Sequence, residues 1–379
     1  MGMWKHGGIG MCGIWKLAAL VGAAAMAADV LAEAMAYSVT MLPVGEARLL
    51  NNRGDVLLYS RGSNQHHVWS VGGSLRALPV PERVEGTISI RDMNDAGQVV
   101  ANYRELGLGP HSIVFEPDGR TRELLPTGSV EPTAQHVTNA GFVYGTVRGA
   151  RIQWPPGASD GSTYQHIKLA GGLRFSSLAS SESGDVAGRT FIESVGSDVP
   201  SVTRGRVEML LPTASRMLGW AQAMSEDGRW IGGFLEFGFD QDEVPVRWRD
   251  DVLEELALPK GAANAGISGI NDDGVGVGTA AANGVQQATI WDAEGVPHLV
   301  ADVVQTEQPW HFETAVAINN SGQIMGSGFA EVSPGRWQYR GFLLTPIPEP
   351  GGLVAVVGLV VAGLVGLGMR RGKDRRAGE

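Results

Sequence analysis

Apolar and polar residues alternate along this chain in short runs, and glycine punctuates the runs at a nearly constant interval. The cleanest instance is Ala317-Ile318-Asn319-Asn320-Ser321-Gly322-Gln323-Ile324-Met325-Gly326. Six more copies centre on Gly54, Gly97, Gly141, Gly184, Gly228 and Gly274, with successive spacings of 43, 44, 43, 44, 46 and 48 residues. A period of that length points to a repeat fold.

Aligned on the glycine, the residue three places earlier is always small and polar: Asn51, Asn94, Thr138, Ser181, Ser225, Asn271 and Asn319. The residue before that is apolar in six copies of seven, and Val56, Val99, Val143 and Val186 follow two places after the glycine in the first four. An Asn, Ser or Thr that bonds backbone a few residues on, followed by a glycine free to take positive φ, is the chemistry of a tight hairpin turn. Each phrase therefore predicts an incoming strand, a type I turn with a left-handed residue, and an outgoing strand. Four residues past the turn glycine stand Leu58, Ala101, Gly145, Gly188, Gly232, Gly278 and Gly326. Glycine in mid-strand weakens a sheet, so its recurrence here predicts close approach of another backbone.

A third strand with an aromatic follows in most repeats, at Val68-Trp69, Val114-Phe115, Gln153-Trp154, Arg247-Trp248, Ile290-Trp291 and Gly341-Phe342. A fourth apolar run closes many of them: Leu75 to Pro79, Leu124-Leu125-Pro126, Leu210-Leu211-Pro212 and Leu256 to Pro259. Four short strands per period is the content of a propeller blade. The predicted fold is all-β, a seven-bladed β-propeller over residues 37–346 with about 44 residues per blade; a β-solenoid, whose coils are usually shorter, is the alternative. The last repeat lacks a fourth run. Tyr37 to Val44, whose Met41-Leu42-Pro43 matches the Leu-Leu-Pro endings, is predicted to supply it and close the ring, removing an open sheet edge. The fourth repeat is the least regular: Ser180 takes the apolar place and Pro200 to Arg206 carries no aromatic.

The two ends differ from the repeats. Residues 1–36 read as a signal peptide: Lys5 and Lys16, the apolar run Leu17 to Ala28, and a cleavage pattern at Ala34-Met35-Ala36. Cys12, the only cysteine, lies inside this segment, so a mature chain starting at Tyr37 has no disulfide, no thiol nucleophile and no Cys-based metal site. After a proline-stiffened stretch at 347–350, residues 351–369 are uncharged over a length that predicts a transmembrane helix. Residues 370–379 form a basic tail, Arg370, Arg371, Lys373, Arg375 and Arg376, placed in the cytoplasm by the positive-inside rule. The whole chain carries a formal charge of −10. The leader is balanced and residues 347–379 are net positive, so the acidity belongs to the repeats and argues against nucleic acid as a partner.

These residues carry two resemblances. Pro348-Glu349-Pro350, the apolar span and the basic cluster after it resemble the PEP-CTERM sorting signal of Gram-negative bacteria. The resemblance implies recognition of Pro348, Glu349 and Pro350 by an exosortase, which removes the tail and passes the protein outward. The repeats, of the form Ala-x-x-Ile-Asn-x-x-Gly-x-Val-x-Gly, are similar to the extracellular HAF repeat family. The His-Ala-Phe tripeptide of that family survives only as Gln287-Ala288-Thr289-Ile290-Trp291 and Arg340-Gly341-Phe342-Leu343. This second resemblance implies a propeller-like surface protein.

Chemistry is sparse. There is no Gly-x-Ser-x-Gly elbow, His-Glu-x-x-His or phosphate-binding loop. His66-His67 reads as a solvated pair in a polar loop rather than a metal site. Asp240-Gln241-Asp242-Glu243 reads as a solvated acidic loop rather than a calcium site, and Asn271-Asp272-Asp273-Gly274 as turn chemistry. No metal or cofactor is predicted. Trp220, Trp230, Trp310 and Trp337 lie off the third-strand register and are candidates for a sugar-stacking platform. Trp230 replaces a repeat valine and reads as core, whereas Trp310, beside His311, is the best candidate for ligand contact. The functional expectation is an exported, monomeric, non-enzymatic cell-surface or matrix propeller that binds a polysaccharide or a surface protein. Its membrane association is through the C-terminal helix, transiently in the inner membrane. The competing class is a hydrolase or lyase of extracellular polysaccharide, built from carboxylates converging on the central opening. A purely structural matrix component is a third.

Overall fold

The structure, a computed structural model, describes residues 35–43, 45–60, 62–81, 84–105, 109–125, 132–147, 150–164, 172–214, 218–236 and 242–348. Among them lie seven antiparallel sheets of sequential strands. Blade I comprises Glu46–Leu50, Val56–Ser60, Gln65–Trp69 and Leu75–Ala77. Blade II comprises Val84–Met93, Val99–Glu105, Gly109–Phe115 and Thr121–Leu124, and blade III Thr133–Val137, Val143–Val147, Ala150–Trp154 and Ser162–Tyr164. Blade IV, the irregular repeat, is complete: Gly172–Ser180, Val186–Ile192, Ser197–Arg204 and Val207–Leu210. Blade V comprises Leu218–Met224, Trp230–Glu236, Val244–Arg249 and Val252–Glu255, and blade VI Asn264–Ile270, Gly276–Ala282, Val285–Trp291 and Pro297–Leu299. Blade VII contributes Trp310–Ile318, Ile324–Ser333 and Arg336–Pro346. A single helical turn, Val300–Val303, follows blade VI.

The fourth strand of blade VII is Tyr37–Met41, antiparallel to the third from Tyr37 opposite Pro346 to Met41 opposite Phe342. Val304–Gln305 adds a short parallel strand outside it. The N-terminal strand thus closes the ring, and Leu42 after it behaves like the leucines that end other blades. Its N–H bonds the Gly341 carbonyl, as Leu78 bonds His66, Leu211 bonds Pro200 and Leu256 bonds Pro245. All four leucines are buried. The Leu-Pro runs overlap the ends of the fourth strands: Leu75–Ala77 is the strand in blade I, Leu124 and Leu210 are the last strand residues in blades II and IV, and in blade V the strand ends at Glu255, before Leu256. Cores form between blades: Leu42, Ala47, Val56, Leu58 and Trp69 pack with Met325 and Leu343 across the VII–I junction. Third-strand tryptophans tie into the same linkers. The indole N–H groups of Trp154, Trp248 and Trp291 donate to the carbonyls of Leu125, Pro212 and Ala257 at 2.8–2.9 Å. That bond explains why an apolar run before proline and a buried tryptophan recur together: the indole buries a large apolar area only if its donor is satisfied.

The turns have the predicted geometry. The seven turn glycines take φ of +73° to +83°, and each N–H bonds the carbonyl three residues back at 2.9–3.1 Å. Blade V carries one extra residue after its turn: Ser225 N–H bonds Trp230 O, whereas Asn51 bonds Asp55. Ile231, not Trp230, therefore occupies the repeat valine's place. Trp230 is buried, as its apolarity predicts, but under the Arg247 and Arg249 guanidinium groups rather than in the valine position.

Every first strand carries a β-bulge. Register slips between Ala47 and Leu49, Ile90 and Asp92, Ala134 and His136, Ser177 and Ala179, Ala221 and Ala223, Ile267 and Gly269, and Ala315 and Ala317. The bulge explains the mid-strand glycines. A Cβ at Gly188 would stand 2.0 Å from Ser176 O, one at Gly278 1.9 Å from Gly266 O and one at Gly326 2.1 Å from Thr314 O. In each of these three blades that oxygen belongs to the residue two places before the slipped one, so the bulge presses the first strand's carbonyl against the second strand. Blade V meets the same contact one residue later, at Gly233 with Trp220 O at 1.9 Å.

Two glycine substitutions separate turn strain from backbone collision. At Gly322 an added Cβ meets only Pro346, at 3.2 Å, so Gly322→Val is expected to cost about 1–3 kcal/mol, the range for forcing positive φ on a branched residue. Gly278→Ala is expected to cost more although the residue added is smaller, because a carbonyl oxygen cannot yield without dismantling the bulge. Chemical denaturation of both variants checks the order; a silent Gly278→Ala contradicts the contact.

Candidate functional site

The turns do more than reverse the chain. In all seven blades the side chain three places before the turn glycine accepts an N–H beyond that glycine, the next residue's in six blades, as Asn51 Oδ1 from Asp55 and Asn319 Oδ1 from Gln323, both at 2.9 Å, and Trp230's, two places on, in blade V. Where that residue is asparagine, its amide also donates to the neighbouring blade: Asn51 to Asn94 O, Asn94 to Thr138 O, Asn271 to Asn319 O and Asn319 to Asn51 O. The last of these, at 2.9 Å, joins blade VII to blade I.

The next residue builds a second link. Asn52 N–H donates to Asp95 Oδ1, Asp95 N–H to Asn139 Oδ1, and Asn139 N–H to Glu182 Oε2. Glu182 N–H bonds the Glu226 carbonyl. Asp227, shifted by the extra residue of blade V, donates to Asp272 Oδ1, Asp272 to Asn320 Oδ1, and Asn320 to Asn52 Oδ1. Every blade junction is bridged at 2.7–3.0 Å, so the chain of bonds closes on itself.

These groups surround a cavity of about 340 Å³ lined by the first strands of all seven blades. Its mouth is acidic: Asp95 stands between Asn52 and Asn139, and Glu182, Glu226 and Asp272 follow one another on blades IV to VI before Asn320. Glu226 reaches past its neighbours to accept from Asn52 Nδ2 at 2.5 Å and Asn320 Nδ2 at 3.1 Å. The Asn52 amide also touches Asp95 Oδ2, at 3.2 Å, so two carboxylates share one NH₂. Burial, then the surrounding carboxylates Asp95, Glu182 and Asp272, raise the pKa of Glu226 against the lowering bond from Asn52. Burial likewise raises Glu182, with Asp92 and Asp95 adding to it and the Asn139 N–H and His136 opposing. One tier away from the turns, the bulge residues Arg48, Arg91, Gln135, Leu178, Gln222, Ser268 and Val316 line the same cavity. Bulges re-aim side chains, and here they place a tier of mixed chemistry under the acidic rim.

One junction uses a different part. Blade III has Thr138 where an asparagine would reach the next turn, and His136 makes that link instead, its Nε2 facing Ser181 O at 3.0 Å. Its Nδ1 is in close contact with Asp92 Oδ2, which also accepts Val137 N–H at 2.9 Å. Both ring nitrogens face acceptors, so only the imidazolium satisfies the two together. Burial alone lowers the pKa of His136; the Asp92 carboxylate, with Glu182 and the Ser181 carbonyl, outweighs it and leaves the pKa raised.

The residues singled out in the sequence are scattered. Trp220 lies against Phe234 and under Arg189, 3.9 Å from its ring centre, and Trp230 is core. Trp310 and Trp337 both sit on blade VII, on either side of His311, whose ring stacks on Trp337 at 4.7 Å. Trp310 stacks on Phe312 at 5.3 Å and meets Phe342 edge-on. His66 and His67 are not in a polar loop: they occupy the third strand of blade I, where successive side chains point to opposite faces. His66 lies against Tyr59, and burial, with Arg48 and His67 adding, lowers its pKa to about 4. Asn271 to Gly274 is a turn, as its register predicts. Asp240, Gln241, Glu349, Pro350, the leader up to residue 34, the 351–369 segment and the basic tail 370–379 lie outside the described residues; Pro348 is exposed. Among the described residues, no group of His, Cys, Asp and Glu is arranged to hold a metal, and no helix is long and apolar enough to cross a membrane.

No family model and no curated protein matches the chain. Solved structures with similar folds include the β-propeller domain of the Trilobed protease from Pyrococcus furiosus, 8% identical, covering 80% of this chain and 94% of that one, with a TM-score of 0.47. Others are TolB from Acinetobacter baumannii, 11% identical over 64% of this chain and 61% of TolB, TM-score 0.42, and a puromycin-hydrolyzing peptidase of Mycobacterium tuberculosis, 12% identical over 78% and 52%, TM-score 0.48. This chain spans only about half to three-fifths of the TolB and peptidase chains. Likenesses this distant carry no activity across, and the propeller assignment rests on the strand topology itself.

The His136 link has a pH signature. A histidine whose folded pKa is raised contributes stability that is fully present below its unfolded value, near 6.5, and is lost as pH rises through the folded value. The stability difference between the wild type and His136→Gln is therefore expected to be largest near pH 6 and to shrink steadily above it. Denaturation of both proteins from pH 6 to 9 checks this; a gap that widens with pH contradicts the imidazolium.

Proposed function

We propose that this is an exported cell-surface or matrix propeller that binds a polysaccharide at its central mouth without turning it over. The observation that carries this reading is that the carboxylates of the mouth are spoken for: Asp95, Glu182 and Asp272 accept the N–H that joins one blade to the next, and Glu226 holds the amides of two other blades. Groups fixed in this way make a rigid ring of donors and acceptors, which suits a hydroxyl-rich ligand better than a mobile acid–base pair. A surface-protein partner would use the same rim. Export and sorting are supported by the Lys-bearing leader with its apolar run, the Pro348-Glu349-Pro350 motif, the uncharged stretch after it and the terminal basic cluster. On this reading the tail is recognised by an exosortase after transient anchoring in the inner membrane.

One observation favours a second reading, a hydrolase or lyase acting on extracellular polysaccharide. Glu182 and Glu226, both with raised pKa values, face one cavity beside Asp92 and His136, and a carboxyl pKa shifted upward is what general acid catalysis draws on. A combined glycan-array and turnover screen on residues 37–346, the span containing every strand of the ring, separates the two. The binding reading expects retained glycan with no product, and at least tenfold weaker binding by Glu226→Gln with its melting point little changed. Product release by the wild type, reduced a hundredfold or more in Glu182→Gln or Glu226→Gln, establishes the enzyme instead.

A further inference from the structure

Blade VII departs from the other six in a way that closing the ring does not require. Its second and third strands run 10 and 11 residues, against 5 to 7 and 5 to 8 in the other blades. The added length carries aromatic residues in the open. In the strand register His311 stands opposite Phe329 and Phe329 opposite Tyr339. Trp337, two residues from Tyr339, shares that face and stacks on His311. Phe329, Trp337 and Tyr339 are 38%, 39% and 44% exposed, a solvent cost with no return in folding.

This strip runs into a cleft of about 340 Å³ at the junction of blades VI and VII. Trp310 and Phe312 form apolar wall there, and Phe329 and His311 belong to both strip and cleft. The remaining polar lining is Gln286, Gln287 and Glu313. The size is that of a small-ligand site, mostly apolar with a few polar groups. A protein-binding patch has an apolar centre and a polar rim; here amides and a carboxylate share the cleft with the aromatic wall. No lysine or arginine lines it, so a polyanion finds no counter-charge within the cleft.

We propose that this strip and cleft form a second binding site, separate from the central mouth, for a neutral oligosaccharide. Sugar rings offer flat C–H faces to Phe329, Trp337 and Tyr339, and hydroxyl edges, donors and acceptors alike, to Gln286, Gln287 and Glu313. Trp310 is the wall of the cleft in which the chain ends or turns.

The test is titration calorimetry of the full-length protein with cellohexaose and laminarihexaose as neutral probes and hexagalacturonate as the anionic one. Binding of a neutral hexamer is expected, with affinity at least tenfold lower in Phe329→Ala and in Trp337→Ala and unchanged in Val252→Ala, an exposed residue on the fourth strand of blade V away from both sites. The Phe329 and Trp337 side chains are each more than a third exposed, and unchanged melting curves exclude unfolding as the cause. The site is overturned if neither neutral hexamer binds, if hexagalacturonate binds in their place, or if binding survives both aromatic substitutions. Neutral-hexamer binding lost in Glu226→Gln alone would assign the sugar to the central mouth and also overturn it.

Discussion

The ring depends on one kind of bond repeated at every junction: an N–H of one turn donating to an oxygen of the next turn. A propeller blade by itself is a small twisted sheet with two exposed faces, and burying those faces between neighbours provides most of its stability. Burial is not directional, however, and would tolerate a slipped or splayed ring. The turn-to-turn bonds set the angle. They run from Asn52 through Asp95, Asn139, Glu182, Glu226, Asp272 and Asn320 and back to Asn52, so a distortion at one junction must be taken up by the others. A second tie lies farther from the axis, where Arg76 reaches Gly97 O, Arg204 reaches Gly228 O and Arg247 reaches Gly274 O, each the turn glycine of the next blade. The same glycine thus supplies the turn's positive φ and the acceptor that locks the adjoining blade.

Structure and candidate function therefore draw on the same atoms. Acceptors stronger than amides are useful in such a belt because charged acceptors make shorter, stronger bonds. Four of the seven mouth positions are carboxylates, and burial first, then their closeness to one another, raises the pKa values of Glu182 and Glu226. Asn52, Asn139 and Asn320 relieve this repulsion by placing NH₂ groups between the acids: Asn139 Nδ2 on Asp95 at 2.9 Å and Asn320 Nδ2 on Asp272 at 2.7 Å. Raised carboxyls at a propeller mouth are thus accounted for by the need to close the ring. Chemistry acting on a ligand needs more than their presence.

Much of the architecture was legible in the sequence because its causes are local. A glycine at positive φ, a capping side chain three places earlier and a leucine before proline each act within a few residues, so the count of blades, the turn geometry and the closure by Tyr37–Met41 could all be read from one register. The belt was written there too, as a polar residue in every copy one place after the cap, but its meaning lies in the neighbouring blade some 43 to 48 residues away. The bulge left no residue type behind it: Arg48, Arg91, Gln135, Leu178, Gln222, Ser268 and Val316 share a place and nothing else. Only its shadow, the glycines of the facing strand, was visible. Blade V hid its extra residue because Gly232 and Gly233 stand side by side, and either satisfies the pattern. His66 and His67 resemble loop residues in the sequence because their polarity masks the strand, Gln65–Trp69, in which they lie.

The contrast between conserved geometry and variable chemistry at the bulges bears on where specificity resides. The bulge is present in all seven blades, so it belongs to the fold, and the glycine that accommodates it is costly enough to be retained in five of them. The side chain it aims into the cavity is free of that constraint, since it pairs with nothing on the neighbouring strand. A position fixed in space and unconstrained in identity is where a scaffold can change what it recognises without changing how it folds. The two arginines of this tier, Arg48 and Arg91, come from adjacent blades, and the Asp92–His136 link lies between blades II and III beside them. The cavity is therefore lopsided, basic residues on the side of blades I and II and smaller or apolar ones at Ser268 and Val316. A ligand seated there meets different chemistry at each side, so the seven-fold repeat of the fold does not make the site symmetric.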